Sequence, residues 1–218
     1  LIATNAQFIS EQDTLLLKGY NWFHNSLVAG NVDFIWGYSV ATIFEASEIR
    51  SLGDSKVGTG ESSGGYLLQA RTSNVTDPGF VFLDSELTSG AGPVGVTITT
   101  GTTHLARSGG SSSYFDNVTF VNTKMGDHVA GIGFAYEGIN SQPAPNPAVA
   151  DATSGWKEFN SMNASGVALD MSGRCDNGDG SGKPDSCYEL SQAEVDANYC
   201  SRAQIFASFD NGAGWDPY

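Results

Sequence analysis

The sequence is short of basic residues: ten lysines and arginines face 24 aspartates and glutamates, for a net charge of −14 at pH 7. An acidic surface of this kind repels phosphate backbones and anionic lipids, so we expect neither nucleic acid nor a membrane as a partner. Long apolar runs are also missing, and none approaches the roughly 20 residues that a membrane-spanning helix needs. Charged residues make up only 16% of the chain while glycines number 27, which favours a turn-rich β fold.

Cysteine is scarce as well. Cys175, Cys187 and Cys200 form no Cys-x-x-Cys pair, so we expect no zinc site. A disulfide between Cys175 and Cys187 would close a long polar loop, leave Cys200 unpaired and fit an oxidising compartment. The alternative is three unpaired thiols in a reducing compartment. Acidic residues in the same loop miss the spacing of an EF-hand, so we interpret it as a surface loop and not as a calcium site.

A short pattern recurs in the first 123 residues. It begins with Phe and continues with two residues, a small or β-branched residue, one further residue and an apolar one. Its copies begin at Phe23, Phe44, Phe82 and Phe115, so they are 21, 38 and 33 residues apart. Repeats of about 20–50 residues are typical of solenoids. The pattern therefore favours a parallel β-helix over a β-sandwich.

The last third of the chain follows a different pattern. Three prolines between residues 138 and 154 predict an extended surface segment. A helix is predicted from Ser191 to Ile205, since Ser191 can cap it and Glu194, three residues on, completes a capping box. We expect this tail to cover the solenoid within a single domain of residues 1–218.

One carboxylate lies inside an apolar run that is typical of a buried strand. Asp33 stands among Val, Phe, Ile and Trp in the segment 30–37, where an ionised carboxylate needs a compensating partner. Asp13 lies 20 residues earlier, about one coil away, so the two carboxylates are expected side by side on neighbouring strands. Adjacent carboxylates titrate separately, which suits a nucleophile beside a proton donor. Arg107 ends a strand-like run and is the candidate cation; the alternative is a structural ion pair.

These segments resemble those of the pectin methylesterases, a family of right-handed parallel β-helix enzymes. The family's Gln-Asp-Thr-Leu, Gly-x-Val-Asp-Phe-Ile-Phe-Gly and Leu-Gly-Arg-Pro-Trp segments are similar, in the same order, to residues 12–15, 30–37 and 105–109. The resemblance runs over nearly the whole chain. It implies an all-β, right-handed parallel β-helix with long loops and a C-terminal covering segment that contains a short helix.

The resemblance also implies an activity. The chain would be a secreted hydrolase that removes methyl groups from pectin, with a part in pectin degradation and cell-wall modification and without a metal or organic cofactor. Asp33 would be the nucleophile, and Asp13 would act as acid and then as base. Gln12 would donate a hydrogen bond to the oxyanion, and Arg107 would keep Asp33 ionised.

Substrate contacts are expected from Trp36 and Phe34, which flank the nucleophile, and from Phe134, which lies where the family has a Gly-Trp pair. The chain departs from the family at residues 107–109, where Arg-Ser-Gly replaces Arg-Pro-Trp and removes an aromatic side chain from the cleft. Two alternatives stay open: a related esterase or thioesterase with another acyl substrate, and a non-catalytic carbohydrate-binding β-helix.

A second departure concerns the start of the chain. Only 11 residues precede Gln12, whereas the family has further coils and a second oxyanion glutamine there. An exposed solenoid end leaves apolar surface and unpaired strand edges. We therefore expect that the chain lacks the N-terminal coils of the family and that a companion chain or segment completes the β-helix.

Overall fold

The computed structural model describes residues 1–136, 142–176 and 185–217. The strands are, in chain order, β1 (Ile2–Thr4), β2 (Gln7–Ile9), β3 (Leu15–His24), β4 (Leu27–Gly30), β5 (Ile35–Glu45), β6 (Glu48–Leu52), β7 (Glu61–Ser62), β8 (Tyr66–Ala70), β9 (Gly79–Leu83), β10 (Glu86–Gly90), β11 (Thr97–Ile98), β12 (His104–Ala106), β13 (Val118–Val121), β14 (Lys124–Met125), β15 (Trp156–Phe159), β16 (Met162–Asn163) and β17 (Cys187–Glu189). The helices are α1 (Gln192–Asn198) and α2 (Arg202–Ile205), with 3₁₀ turns at Ser55–Val57 and Phe209–Gly212. Within these residues, no helix is both long and apolar enough to span a bilayer.

The strands form parallel sheets that run along a common axis. The largest sheet has the order β1-β3-β5-β9-β13-β15-β17, with β8 paired to β5 and β12 paired to β8. A second sheet has the order β16-β14-β10-β6-β4-β2, and β7 pairs with β11. Successive strands of one sheet are contributed by successive coils, because the chain passes through the other sheet between them. This is the right-handed parallel β-helix predicted from the sequence.

A stack of phenylalanine rings occupies the interior. Phe23, Phe44, Phe82 and Phe120 lie opposite one another in the register of β3, β5, β9 and β13. Their ring centroids are 4.8, 4.9 and 4.6 Å apart and the rings are nearly parallel. All four side chains are fully buried. The recurring Phe of the sequence is therefore the repeated core residue of the coils.

The fourth copy of the repeat was predicted at the wrong phenylalanine. Phe115 lies before β13 in an isolated antiparallel bridge with Thr72, whereas Phe120 joins the ring stack. Residues 120–125 satisfy the same pattern as residues 115–120, so the pattern alone did not separate the two. The last two spacings between stacked rings are consequently equal, at 38 residues each.

The residue two positions after each stacked phenylalanine turns the chain between the two large sheets. These residues have left-handed backbones, with φ of 48° at Asn25, 47° at Ala46, 48° at Asp84 and 52° at Asn122. Asparagine and aspartate tolerate this conformation better than other residues with a Cβ. Their side chains form a ladder along the corner, in which Asn122 donates to Asp84 at 3.0 Å. Ala46 interrupts the ladder.

The C-terminal tail covers the outer surface of the largest sheet. The side chains of Val195, Tyr199, Ile205 and Phe206 pack in one apolar cluster with outward residues of β3, β5, β9 and β13. Ser191 caps α1 through the predicted capping box with Glu194, but the predicted single helix is divided, since residues 199–201 separate α1 from α2.

The predicted disulfide between Cys175 and Cys187 is present, and Cys200 is free and exposed. Most of the loop that this disulfide closes, residues 177–184, lies outside the described residues. Cys187 begins β17, which pairs with β15, so the disulfide ties Cys175 to the last strand of the largest sheet.

Candidate active site

Asp33 lies at the turn that leads into β5. Its backbone is left-handed, with φ of 46°, and its amide donates to the carbonyl of Tyr66 on the next coil at 2.8 Å. The side chain points away from the phenylalanine stack and only 7% of the residue is exposed. A carboxylate buried to this degree is stable as an ion only with a partner, as the sequence predicted.

Arg107 is that partner, and it immediately follows β12. Its Nε donates to both carboxylate oxygens of Asp33, at 3.0 and 3.2 Å, and its Nη2 donates to Oδ2. Its Nη1 donates to Oε1 of Gln142 at 3.1 Å. The hydrogen bonds with Asp33 raise the pKa of Arg107 above its ordinary value. A forked contact of this kind fixes the orientation of the carboxylate.

Gln12 and Asp13 occupy the corresponding turn one coil earlier. An isolated parallel bridge joins Gln12 to Val32, and the amide of Asp13 donates to the carbonyl of Val32 at 3.4 Å. Asp13 repeats the left-handed backbone of Asp33, with φ of 55°, and both Gln12 and Asp13 are exposed. Asp13 is near enough to Arg107 to contribute to the raised pKa of that guanidinium. The four residues predicted to carry the chemistry therefore lie together.

Tyr66 adds an aromatic wall that was not predicted from the sequence. It begins β8, and Arg107 stacks on its ring with the guanidinium carbon 5.2 Å from the ring centroid. Burial raises the pKa of Tyr66, Arg107 opposes the shift and Asp33 adds to it. The imidazole of His104 stacks on the ring at 5.8 Å, and burial lowers the pKa of His104. Tyr66 thus contacts both the guanidinium of the ion pair and the imidazole of His104.

Trp36 lies on the same outer face, three residues beyond Asp33. The guanidinium of Arg71 stacks between Trp36 and Tyr38, with its carbon 5.0 and 5.7 Å from the two ring centroids. Arg71 also donates to Oε1 of Gln69 at 2.9 Å and to the hydroxyl of Tyr38 at 3.1 Å. Trp36, Tyr38 and Arg71 thus form an aromatic and cationic surface on the strand that follows Asp33.

Phe34 and Phe134 were predicted to contact substrate, and the structure contradicts both predictions. Each is completely buried in the interior cluster, and Phe134 stacks on Trp156 at 4.8 Å. The physical reason is the direction of the side chain. Asp33 and Trp36 leave the coil outward, whereas Phe34 points into it.

The structure also contains a cavity between the C-terminal helices and the coil. This cavity of about 900 Å³ separates the C-terminal helices from the corner ladder, lined by residues such as Asp84, Asn122 and Tyr199. It does not touch the ion pair of the outer face. In the parts of the chain that the structure describes, no group of three or more His, Cys, Asp or Glu side chains has the arrangement of a metal site.

The fold and the site geometry can be compared with known proteins. No family model and no curated protein sequence matches this chain. Solved structures do match, among them the pectin methylesterase PemA from Erwinia chrysanthemi, with a TM-score of 0.67 and 18% identity over 99% of this chain and 58% of that chain. The pectin methylesterase from Yersinia enterocolitica has a TM-score of 0.65 and 20% identity over 96% and 63% of the two chains. The pectin methylesterase from carrot has a TM-score of 0.63 and 14% identity over 92% and 55%.

These similarities establish the fold. The chain shares the right-handed parallel β-helix of pectin methylesterases from bacteria and a plant, and it spans less than two thirds of the length of each.

Proposed function

We propose that this protein is a carboxylic ester hydrolase that removes methyl groups from esterified polygalacturonate and leaves methanol and an acidic pectin. The observation that carries the proposal is the carboxylate of Asp33, held by Arg107 beside Asp13 on the outer face of the coil. The pectin methylesterases that share the fold support the choice of ester.

The first half-reaction forms an acyl-enzyme. An oxygen of Asp33 bonds to the ester carbonyl carbon, and the side-chain amide of Gln12 donates a hydrogen bond to the resulting oxyanion. The tetrahedral intermediate then collapses and the bond between carbon and methoxy oxygen breaks. Asp13 gives its proton to the departing oxygen, so methanol leaves and an anhydride joins Asp33 to the sugar acid.

The second half-reaction restores the enzyme. Asp13, now a carboxylate, takes a proton from a water molecule as that water attacks the acyl carbonyl. The anhydride bond breaks, Asp33 leaves as a carboxylate and Asp13 is protonated again. The roles differ because the carboxylate of Asp33 is buried and held by Arg107, whereas the side chain of Asp13 is exposed to the water that attacks in this step.

Trp36 is the proposed substrate contact, since its ring lies on the face that the carboxylates share. Phe34 and Phe134 support the site from within the coil and touch no substrate. We also propose that the protein is secreted and acts in pectin degradation and cell-wall modification. The Cys175–Cys187 disulfide agrees with an oxidising compartment.

The proposal is tested by methanol release from highly methylated pectin. We expect the unmodified protein to release methanol and Asp33→Asn to release it more than about 1,000-fold more slowly. Asp84→Asn is a matched control, because Asp84 is an exposed aspartate with the same left-handed backbone at a corner remote from the site; it should retain full activity. Hydrolysis of an acyl thioester with none of methyl pectin would instead identify the alternative esterase, and binding of pectin without hydrolysis would identify a binding protein.

A further inference from the structure

Another buried carboxylate, that of Asp116, is hydrogen-bonded to the residue that follows Arg107. Asp116 precedes β13, is 4% exposed and receives two hydrogen bonds on its Oδ2 atom. One comes from the hydroxyl of Ser108 at 2.7 Å and the other from the amide of Asn146 at 2.9 Å. The carboxylate therefore joins two segments that are 38 residues apart in the sequence.

Both donors belong to segments that hold Arg107. Ser108 is the next residue after Arg107, and Asn146 lies four residues after Gln142, whose side chain accepts from the guanidinium. Asp116 is therefore hydrogen-bonded to the segment that carries Arg107 and to the segment whose Gln142 accepts from the guanidinium of Arg107.

Further contacts tie the same two segments together. The amide of Asp116 donates to the carbonyl of Asn146 at 2.6 Å, and the side-chain amide of Asn146 donates to the carbonyl of Tyr114 at 2.8 Å. Pro143 packs so closely on Gly110 that a Cβ atom on this glycine would lie 2.9 Å from its ring. The carboxylate of Asp116 is the one group among these contacts that bonds to both segments at a single atom.

We propose that Asp116 is a positioning residue, which holds the Ser108 and Asn146 segments together so that Arg107 keeps the nucleophile Asp33 in its reactive orientation. This inference rests on the proposed esterase function. The chain has a serine at position 108 where the family that it resembles has a proline, and only the serine side chain can donate to a carboxylate. The arrangement is therefore tied to this chain's own departure from the family pattern.

The charge of Asp116 changes near neutral pH. Burial raises the pKa of Asp116 to about 7, although the bonds from Asn146 and Ser108 oppose the shift. The titratable groups that face it are Arg71 and Tyr114, across a cavity of about 240 Å³ whose other lining residues carry no charge. We call the two hydrogen bonds that Asp116 accepts from Ser108 and Asn146 the clamp. A carboxylate accepts hydrogen bonds more strongly than the neutral acid does, so the clamp is tighter above this pKa than below it.

The test compares Asp116→Ala with Asp116→Asn. The alanine variant removes the shared acceptor, and we expect kcat on methyl pectin to fall at least tenfold while KM changes less than threefold. The asparagine variant keeps an acceptor oxygen without the charge, so it should fold and should match the activity of the unmodified protein below pH 6. We also expect kcat of the unmodified protein to rise as the pH increases through about 7, where Asp116 ionises, and the asparagine variant to lack this rise.

Asp77→Ala is the matched control. Asp77 is similarly buried, at 9%, and accepts two hydrogen bonds from Asn74, but it contacts neither segment that holds Arg107. Its removal should lower stability and leave kcat unchanged. An unchanged kcat in Asp116→Ala, or an equal loss in Asp116→Ala and Asp77→Ala, would overturn the positioning role.

Amide hydrogen exchange separates this inference from the proposed function. Asp116→Ala should accelerate exchange at the amides of Asn146 and Gly110, which depend on the carboxylate directly and through Ser108. If the unmodified protein releases no methanol, the esterase proposal fails while exchange still reports on the clamp. If methanol is released and exchange at both amides is unchanged in Asp116→Ala, the clamp is wrong and the esterase proposal stands.

Discussion

The interrupted corner ladder provides the first prediction: Ala46→Asn should stabilise the protein. Ala46 lies between Asn25 and Asp84 in the register of the corner, it is exposed, and its φ of 47° is unfavourable for alanine. Left-handed backbone costs an ordinary residue about 1–2 kcal/mol, and asparagine avoids part of this cost. An amide at this position can also donate to Oδ1 of Asn25, as Asn25 donates to Asn5 at 2.6 Å.

The expected gain is about 1 kcal/mol in the free energy of unfolding, because a hydrogen bond between exposed groups adds less than about 1 kcal/mol to the backbone term. Urea denaturation measures it, with an m-value equal to that of the unmodified protein. Ala46→Gly is the control, since glycine removes the cost of the left-handed backbone but has no side-chain amide. If Ala46→Asn were no more stable than Ala46→Gly, the ladder would contribute nothing and the reasoning would be refuted.

Two further predictions concern the core and the covered sheet. Phe82→Ala should lower the free energy of unfolding by about 3–5 kcal/mol, since Phe82 is fully buried between two stacked rings; a loss below 1 kcal/mol in urea denaturation would contradict a continuous core. Lys157 is fully buried in β15, and burial lowers the pKa of Lys157 from 10.5 to about 7. The folded state then binds fewer protons than the unfolded state between these values, so stability should rise as the pH increases from about 7 to about 10.5, by at most about 5 kcal/mol. Lys157→Met should remove this rise in urea denaturation across that range, and an unchanged rise would show that Lys157 is not its source.

The fold was predictable because its core repeats. One phenylalanine per coil, followed at a fixed distance by a small and then an apolar residue, records the register of the stacked strands. The capping box at Ser191 and the Cys175–Cys187 disulfide depend on local spacing and were predictable for the same reason. The position of the fourth repeat was not, because two phenylalanines five residues apart satisfy one pattern.

The candidate site was predictable only in part. A carboxylate inside an apolar run requires a cation, and a separation of 20 residues equals one coil, so Asp13, Asp33 and Arg107 could be brought together from the sequence. The sequence did not predict which aromatic side chains face outward, because the left-handed turn at Asp33 resets the alternation of the strand. For this reason Phe34 was assigned to the wrong side and Tyr66 was missed.

The contacts that support Arg107 could not be predicted from the sequence. Gln142 and Asn146 lie in a proline-rich segment with no periodic pattern, and their contact with residues 107–116 arises only from the path of the chain. The repeat pattern leaves position 116 open and its neighbours are polar and aromatic, so the sequence does not mark Asp116 as buried.

The central claim, that Asp33 attacks the ester, is tested most directly by Asp33→Ala. Circular dichroism first checks that the variant keeps its β structure, and calorimetry checks that it binds methyl pectin. The variant is then incubated with this substrate and assayed for methanol. We expect methanol release to be abolished while binding persists. Release at the rate of the unmodified protein would contradict the account, since no other group on this face is proposed to form the bond.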